Sequence, residues 1–210
     1  MVQEAIQTEI PLEERYDLSK EARKLLELSR AEAVGLDSPQ VNSEHLLLAC
    51  ASDRDIAVFL NNFTLTRDKL LARIKSIVEG VNPQPKKIGK VSFSEEIDQV
   101  LSLAEEHRKR ECVQDITKFH LLIGLVQEGD GIPASILDSH GILYEQLMKK
   151  YYEDQLQSLD QQLRMAYQDQ DVQEFEKDRL CGMVQNLRHE VSVSRERSKQ
   201  PVEPPVHRDP

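Results

Sequence analysis

Tryptophan is absent from the 210 residues, and phenylalanine and tyrosine occur only five times each. A core without large rings must be built mainly from Leu, Ile, Val and Ala, which suits helix packed on helix. Cysteine is scarce. Cys50, Cys112 and Cys181 are odd in number, far apart and free of CxxC or zinc spacing, so idle or buried thiols in a reducing compartment are expected. No apolar run approaches the ~18 residues that a membrane-spanning helix needs. The segment Met1 to Ile10 carries acids and lacks the basic and apolar regions of a targeting peptide, which leads to the expectation of a cytoplasmic protein, or a stromal one after processing of a precursor. Positive charge is also short: 27 Lys and Arg stand against 37 Asp and Glu, a formal charge of -10. That argues against nucleic acid and against anionic membrane surfaces, and favours protein partners with basic patches.

Reactive constellations are missing as well. There is no phosphate loop of the GxxxxGK[ST] kind, no GxSxG, no Ser/His/Asp or Cys/His arrangement and no paired-carboxylate spacing. No catalytic residue, metal ligand or cofactor is therefore assigned, and a non-enzymatic role is expected.

What the chain does have is a repeat. Val41-Asn-Ser-Glu-His45-Leu-Leu-Leu-Ala49 returns 75 residues later as Ile116-Thr-Lys-Phe-His120-Leu-Leu-Ile-Gly124. Phe93, Ile97, Val100, Leu101 and Leu103 match Leu18, Ala22, Leu25, Leu26 and Leu28 at the same shift. Two extra residues in Glu128-Gly-Asp-Gly-Ile132 move the later matches to 77, where Ile136, Leu137 and Ile142 align with Phe59, Leu60 and Leu65. Apolar positions agree while polar ones differ, the mark of one packing scheme used twice.

Within the first copy, Ser19 is expected to cap a helix ending near Gly35, and Ser43 to cap a second from Glu44 to about Ser52. Asp55 would start a third helix, and Thr66 would cap a fourth that stops at Gly80. Gly80 to Lys90 holds two prolines and two glycines and reads as a linker. In the second copy Pro133 suits the first turn of a helix. One copy of this length buries little alone, whereas two packed about a pseudo-twofold axis share a core. The expected organisation is a loose N-terminus over 1–15 and one all-α domain over 16–152. That domain comprises repeat 1 (16–79), a linker (80–91) and repeat 2 (92–152). A helical tail follows over 153–197, and a disordered, proline-bearing end over 198–210. In the tail, Leu156, Leu159, Leu163, Phe175 and Leu187 form a narrow apolar seam fit for a partner helix or for self-association. The break at Gln168-Asp-Gln-Asp171 leaves one long helix and a hairpin both open.

The repeated segments resemble the Clp N-terminal (Clp repeat) domain of Clp/Hsp100 chaperones, most of all the ClpC type. Leu18 to Ala33, Val41 to Ala49, Ile116 to Gly124 and Val126 to Ile132 carry the resemblance. It implies two four-helix Clp repeats in a single domain. The tail is similar to the UVR helical hairpin through Leu163-Arg-Met-Ala166, Asp171-Val172, Phe175-Glu176, Arg179 and Leu187, without that motif's alanine pair. With no ATPase motif in the chain, the resemblance implies a stand-alone recognition or adaptor module. Its partners would be a Clp chaperone, protease core, adaptor or substrate. A structural subunit that stabilises the protease core, or a regulator outside proteolysis, is the alternative.

In ClpC-type domains the glutamate of the Ser/Thr-Glu-His motif faces outward and helps bind the guanidinium of phosphoarginine, with a helix-opening Ser or Thr assisting at the phosphate. Glu44 and Ser19 hold those positions here, so they are the candidate peptide or phosphoarginine contacts. In the second copy Ser94 remains, but Phe119 replaces the acid and cannot accept the guanidinium N–H groups. Ser94 and Phe119 are thus expected to form an altered surface. His45 and His120, lacking further ligands nearby, are read as packed structural histidines.

Overall fold

Ser19 keeps an extended backbone, and its hydroxyl accepts the Ala22 N–H at 3.2 Å. Helix α1 (Lys20–Gly35) therefore begins where the capping pattern expects it. The next segment pairs as β1 (Gln40–Val41) before α2 (Ser43–Ser52), α3 (Arg54–Asn61) and α4 (Arg67–Val78). The second copy follows with β2 (Ser92–Phe93), α5 (Glu95–Arg110), α6 (Lys118–Glu128) and α7 (Ile132–Ser139). Two longer helices follow, α8 (Tyr144–Gln168) and α9 (Glu174–Arg197). This is a computed structural model, and it describes residues 12–78, 91–111, 113–129, 131–168 and 174–197. The chain divides into two compact units, Met1–Ile142 and Leu143–Pro210.

The first unit is built on α2 and α6. Ser43 through Ala51 are all buried, as are Phe119 through Leu125. A helix apolar on every side belongs in the middle of a core. α1 packs on α2, α5 on α6, and the two central helices meet each other. Ala22, Leu25 and Leu26 of α1 and Ile97, Val100 and Leu101 of α5 face inward at equivalent positions.

Two short parallel pairings lock the copies together. β1 pairs with β2, aligning Gln40 with Ser92 and Val41 with Phe93. Leu18 forms a parallel bridge with Ile116. The segment leading into α1 thus joins the one leading into α6, and the segment leading into α5 joins the one leading into α2. The same hydrogen bond occurs twice: Ser19 N–H donates to the Ile116 carbonyl at 3.0 Å, and Ser94 N–H to the Val41 carbonyl at 2.9 Å. Each repeat completes the other.

Several boundaries differ from those expected. The cap of α2 is Asn42, one residue earlier than Ser43, because the Asn42 N–H donates to His45 Nδ1 at 3.0 Å. α3 starts at Arg54, one residue before Asp55, and Asp53 caps it by accepting the N–H groups of Asp55 and Ile56. The end of the N-terminal lead is fastened: Leu12 is buried, the Tyr16 hydroxyl donates to Asp98 at 2.9 Å, and Arg15 pairs with Asp98 at 3.2 Å. The two short strands were not anticipated, since two-residue pairings carry no period. The expected boundary after Tyr152 falls inside α8, which runs unbroken from Tyr144. The expected linker at 80–90, most of the break at Gln168–Asp171, Cys112, and the segments 1–11 and 198–210 lie outside the described residues.

The second unit is a helical hairpin. Leu159 and Ala166 of α8 pack with Leu180 and Val184 of α9, flanked by Leu156, Leu163 and Leu187. Arg188 reaches Asp160 across the pair at 3.2 Å.

Candidate recognition junctions

The pairings create two comparable junctions of helix starts, one between α2 and α5 and one between α1 and α6. Hydrogen bonds link Ser19 to the second copy and Ser94 to the first. The first-copy pair Ser19 and Glu44 is accordingly divided between junctions: Ser19 opens α1 beside α6, and Glu44 opens α2 beside α5. The residues brought to one junction are Glu44 with Ser94, and Ser19 with Phe119.

At the α2/α5 junction, Glu96 reaches from α5 to the start of α2. It accepts the Ser43 hydroxyl at 2.9 Å and the Ser43 N–H at 3.3 Å. A carboxylate on the exposed amides of a helix start is favoured by the helix dipole. Glu44 does not face outward as expected. It is 5% exposed, and its Oε1 accepts Asn42 Nδ2 at 3.2 Å and lies 3.9 Å from His45 Nδ1. Its helix is enclosed on every side, so the first turn of α2 is covered too. The Ser94 hydroxyl is also buried and makes no hydrogen bond among the described residues, whereas the equivalent Ser19 hydroxyl caps its helix.

At the α1/α6 junction Phe119 is 8% exposed and packs inward. Lys118 stands where the first copy has Ser43. A cation in the first turn of a helix opposes the dipole. Acids at the start of α3 answer it: Lys118 Nζ donates to Asp53 at 2.9 Å and also to Asp55. Burial works against the Lys118 charge, but the two carboxylates outweigh it and hold its pKa above the usual lysine value.

The histidines repeat one device. His45 Nδ1 accepts the Asn42 N–H, and His120 Nδ1 accepts the Thr117 N–H at 3.0 Å. Each fills the role that Glu or Gln plays in a capping box, so each ring is held with Nδ1 unprotonated. Burial lowers the pKa of both. For His45 the field of Glu44 opposes that effect. For His120, with phenylalanine beside it, burial is reinforced by His107 and Arg108, and the value falls to about 4.

Farther along the same helices, Arg67 bridges Glu32 at 2.6 Å and Ser52 at 2.9 Å. In the second copy His107 Nε2 and Gln127 Oε1, at the matching positions, meet directly at 2.8 Å. Glu96, Lys118, Asp53, Arg67 and His107 were not singled out from the sequence. Only Lys118 gave a usable signal, as a cation in a first helical turn.

In the hairpin, Leu156, Leu159, Leu163 and Leu187 of the expected partner seam are used within the unit itself. Phe175 is not, and stands 75% exposed.

Residues 17–112 match the Clp repeat (R) N-terminal domain. The chain is 26% identical over 126 residues to the chaperone protein ClpB of Oceanobacillus iheyensis, covering 59% of this chain and 15% of that protein. It is 23% identical over 121 residues to the Clp protease ATP-binding subunit ClpC of Staphylococcus epidermidis, covering 57% and 14%. The chain therefore spans about a seventh of the length of these curated relatives. The crystallised N-terminal domain of ClpD from Arabidopsis thaliana superposes with a TM-score of 0.56 at 24% identity, over 69% of this chain and 98% of that one. The Hsp104 N-terminal domain of Candida albicans gives 0.52 at 14% identity, over 62% and 86%. The two solved structures show the fold, and the matches to ClpB and ClpC cover 59% and 57% of this chain.

Proposed function

We propose that this chain, whose residues 17–112 match the Clp repeat N-terminal domain, is a non-catalytic recognition module acting with a Clp-type chaperone or protease system. The observation that carries the reading is the doubled helical core, completed by reciprocal strand pairing, in a region homologous to the N-domains of ClpB and ClpC. Its binding partners are proteins: an unfolded client, an adaptor, or a Clp ring.

Within this reading, the α2/α5 junction is the recognition side. Support comes from the contrast in hydrogen-bonding capacity. The Ser94 hydroxyl makes no bond among the described residues, while Glu44 and Glu96 at the same junction hold Asn42 and Ser43. At the α1/α6 junction, Ser19 is engaged as a cap and Lys118 is closed onto Asp53 and Asp55. A guanidinium would have to displace Asn42 Nδ2 from Glu44, and an attached phosphate would have to uncover the buried Ser94 hydroxyl to accept from it and from the amides opening α5.

The test is capture by the immobilised full chain of three purified species in turn: a Clp ATPase ring, a Clp proteolytic core and a permanently unfolded client. Saturable binding of the ring or the client is expected. Binding of the proteolytic core alone would move the role to core assembly, and binding of none would overturn the reading.

A further inference from the structure

Glu44 is a carboxylate with little to hold it where it lies. It is buried, and among the described residues it accepts one hydrogen bond, from Asn42 Nδ2 at 3.2 Å. The His45 ring, 3.9 Å away, keeps its Nδ1 on the Asn42 N–H. A buried charge with a single donor is poorly compensated, so that donor decides whether the carboxylate stays inside. The amide that supplies it lies nearer the solvent, since Asn42 is half-buried where Glu44 is enclosed.

The backbone of Asn42 is fastened independently of that amide. Its N–H donates to His45 Nδ1 at 3.0 Å, and its carbonyl accepts the His45 N–H at 3.1 Å. The side chain can therefore turn while the start of α2 stays formed. The second copy has no such arrangement. Thr117 stands in place of Asn42, its hydroxyl lies 3.0 Å from His120 Nδ1, and Phe119 offers no carboxylate to hold.

We propose that Asn42 is a gate on the α2/α5 junction: its amide holds Glu44 closed, and a cationic group of a partner opens the site by taking the amide's place. The exchange replaces a neutral donor by a guanidinium or ammonium group, a stronger partner for a carboxylate. Asn42 is thus a positioning residue that acts through Glu44. The cationic partner rests on the recognition reading above; the closure of Glu44 by Asn42 does not.

The test labels the carboxylates of the ligand-free full chain with a carbodiimide and an amine, and reads each site by peptide mass. In the wild type Glu44 should react far more slowly than the exposed Glu95. Asn42→Asp and Asn42→Gly both remove the donor and both remain acceptable helix caps. Each should speed the labelling of Glu44 by about fivefold or more, the worth of one hydrogen bond. Glu96 should label as before, and hydrogen exchange at the His45 amide should keep its wild-type rate. A short arginine-containing peptide, followed by fluorescence anisotropy, should bind Asn42→Gly about fivefold more tightly than wild type, because no amide has to leave. Adding Glu44→Gln to that variant should abolish the gain. Unchanged labelling in both variants overturns the gate, as does labelling that rises only together with His45 exchange, which is fraying of α2. Weaker peptide binding by Asn42→Gly overturns it too, since Asn42 would then be a contact for the ligand. Faster labelling with the peptide bound by none of the proteins supports the closure and overturns the recognition reading instead.

Discussion

The two repeats solve the same backbone problem with different side chains. Their paired hydrogen bonds, Ser19 to Ile116 and Ser94 to Val41, are interchangeable. So are the turns closing α3 and α7, where Leu65 N–H meets the Leu60 carbonyl and Ile142 N–H the Leu137 carbonyl. Polar contacts are not. Glu44 beside His45 becomes Phe119 beside His120, Ser43 with Glu96 becomes Lys118 with Asp53 and Asp55, and the Arg67 bridge becomes a direct His107–Gln127 bond. Backbone pairing and apolar burial constrain both copies alike, because each copy needs the other to be complete. The helix starts can be satisfied in several ways, and there the copies differ.

The largest effect separating the copies is expected from acid. The folded-state pKa of His120 is about 4, below the 6.5 of an unconstrained histidine. Between those values the unfolded chain binds a proton that the folded one refuses. The contribution of His120 to stability is therefore complete above pH 6.5, falls as the pH drops, and is exhausted near pH 4. A shift of this size corresponds to about 3 kcal/mol. Urea titrations of wild type and His120→Gln at pH 7 and pH 4.5 measure it: the variant should lose less stability between the two. Equal losses would mean that the second repeat is no more acid-sensitive here than the substituted protein.

A smaller effect is expected where α6 crosses α5. A Cβ on Gly124 would come within 2.4 Å of the Val100 carbonyl oxygen, whereas the matching Ala49 is accommodated and buried. Alanine normally favours a helix over glycine by about 1 kcal/mol, but here backbone must move to admit it. Gly124→Ala should cost about 2 kcal/mol in urea unfolding despite its better helix propensity. A stabilised variant would show that α5 and α6 approach no more closely than α1 and α2.

The smallest effect has the opposite sign. Thr64 adopts φ 59° in the turn after α3, and its counterpart Gly141 adopts φ 71° after α7. A β-branched residue is strained in that region and glycine is not. Thr64→Gly should gain up to about 1 kcal/mol in the same titration, and a loss would remove the strain argument.

The doubled apolar pattern made the all-helical core legible, along with the caps at Ser19 and Thr66 and the proline at the start of α7. The reciprocal strand pairing was not legible, because a sequence shift of 75 shows that two segments are alike and not which contacts which. That omission also misassigned the junction, coupling Ser19 to Glu44 where the fold couples Ser94 to Glu44. The outward orientation expected of Glu44 failed for a related reason: its helix is surrounded, and a single-helix pattern does not reveal what covers its first turn. The tail seam was correctly seen as helical, but the leucines placed on a partner are used by α8 and α9 on each other.

The most direct test of an asymmetric recognition domain is amide chemical-shift mapping of the ¹⁵N-labelled full chain. The ligand would be a short arginine-containing peptide, with and without N-phosphorylation. The amides of Asn42 to His45 and Ser94 to Glu96 should move, more with the phosphorylated peptide, while those of Ser19 to Ala22 and Thr117 to His120 stay in place. Equal movement at both junctions, or movement at neither, would contradict the account.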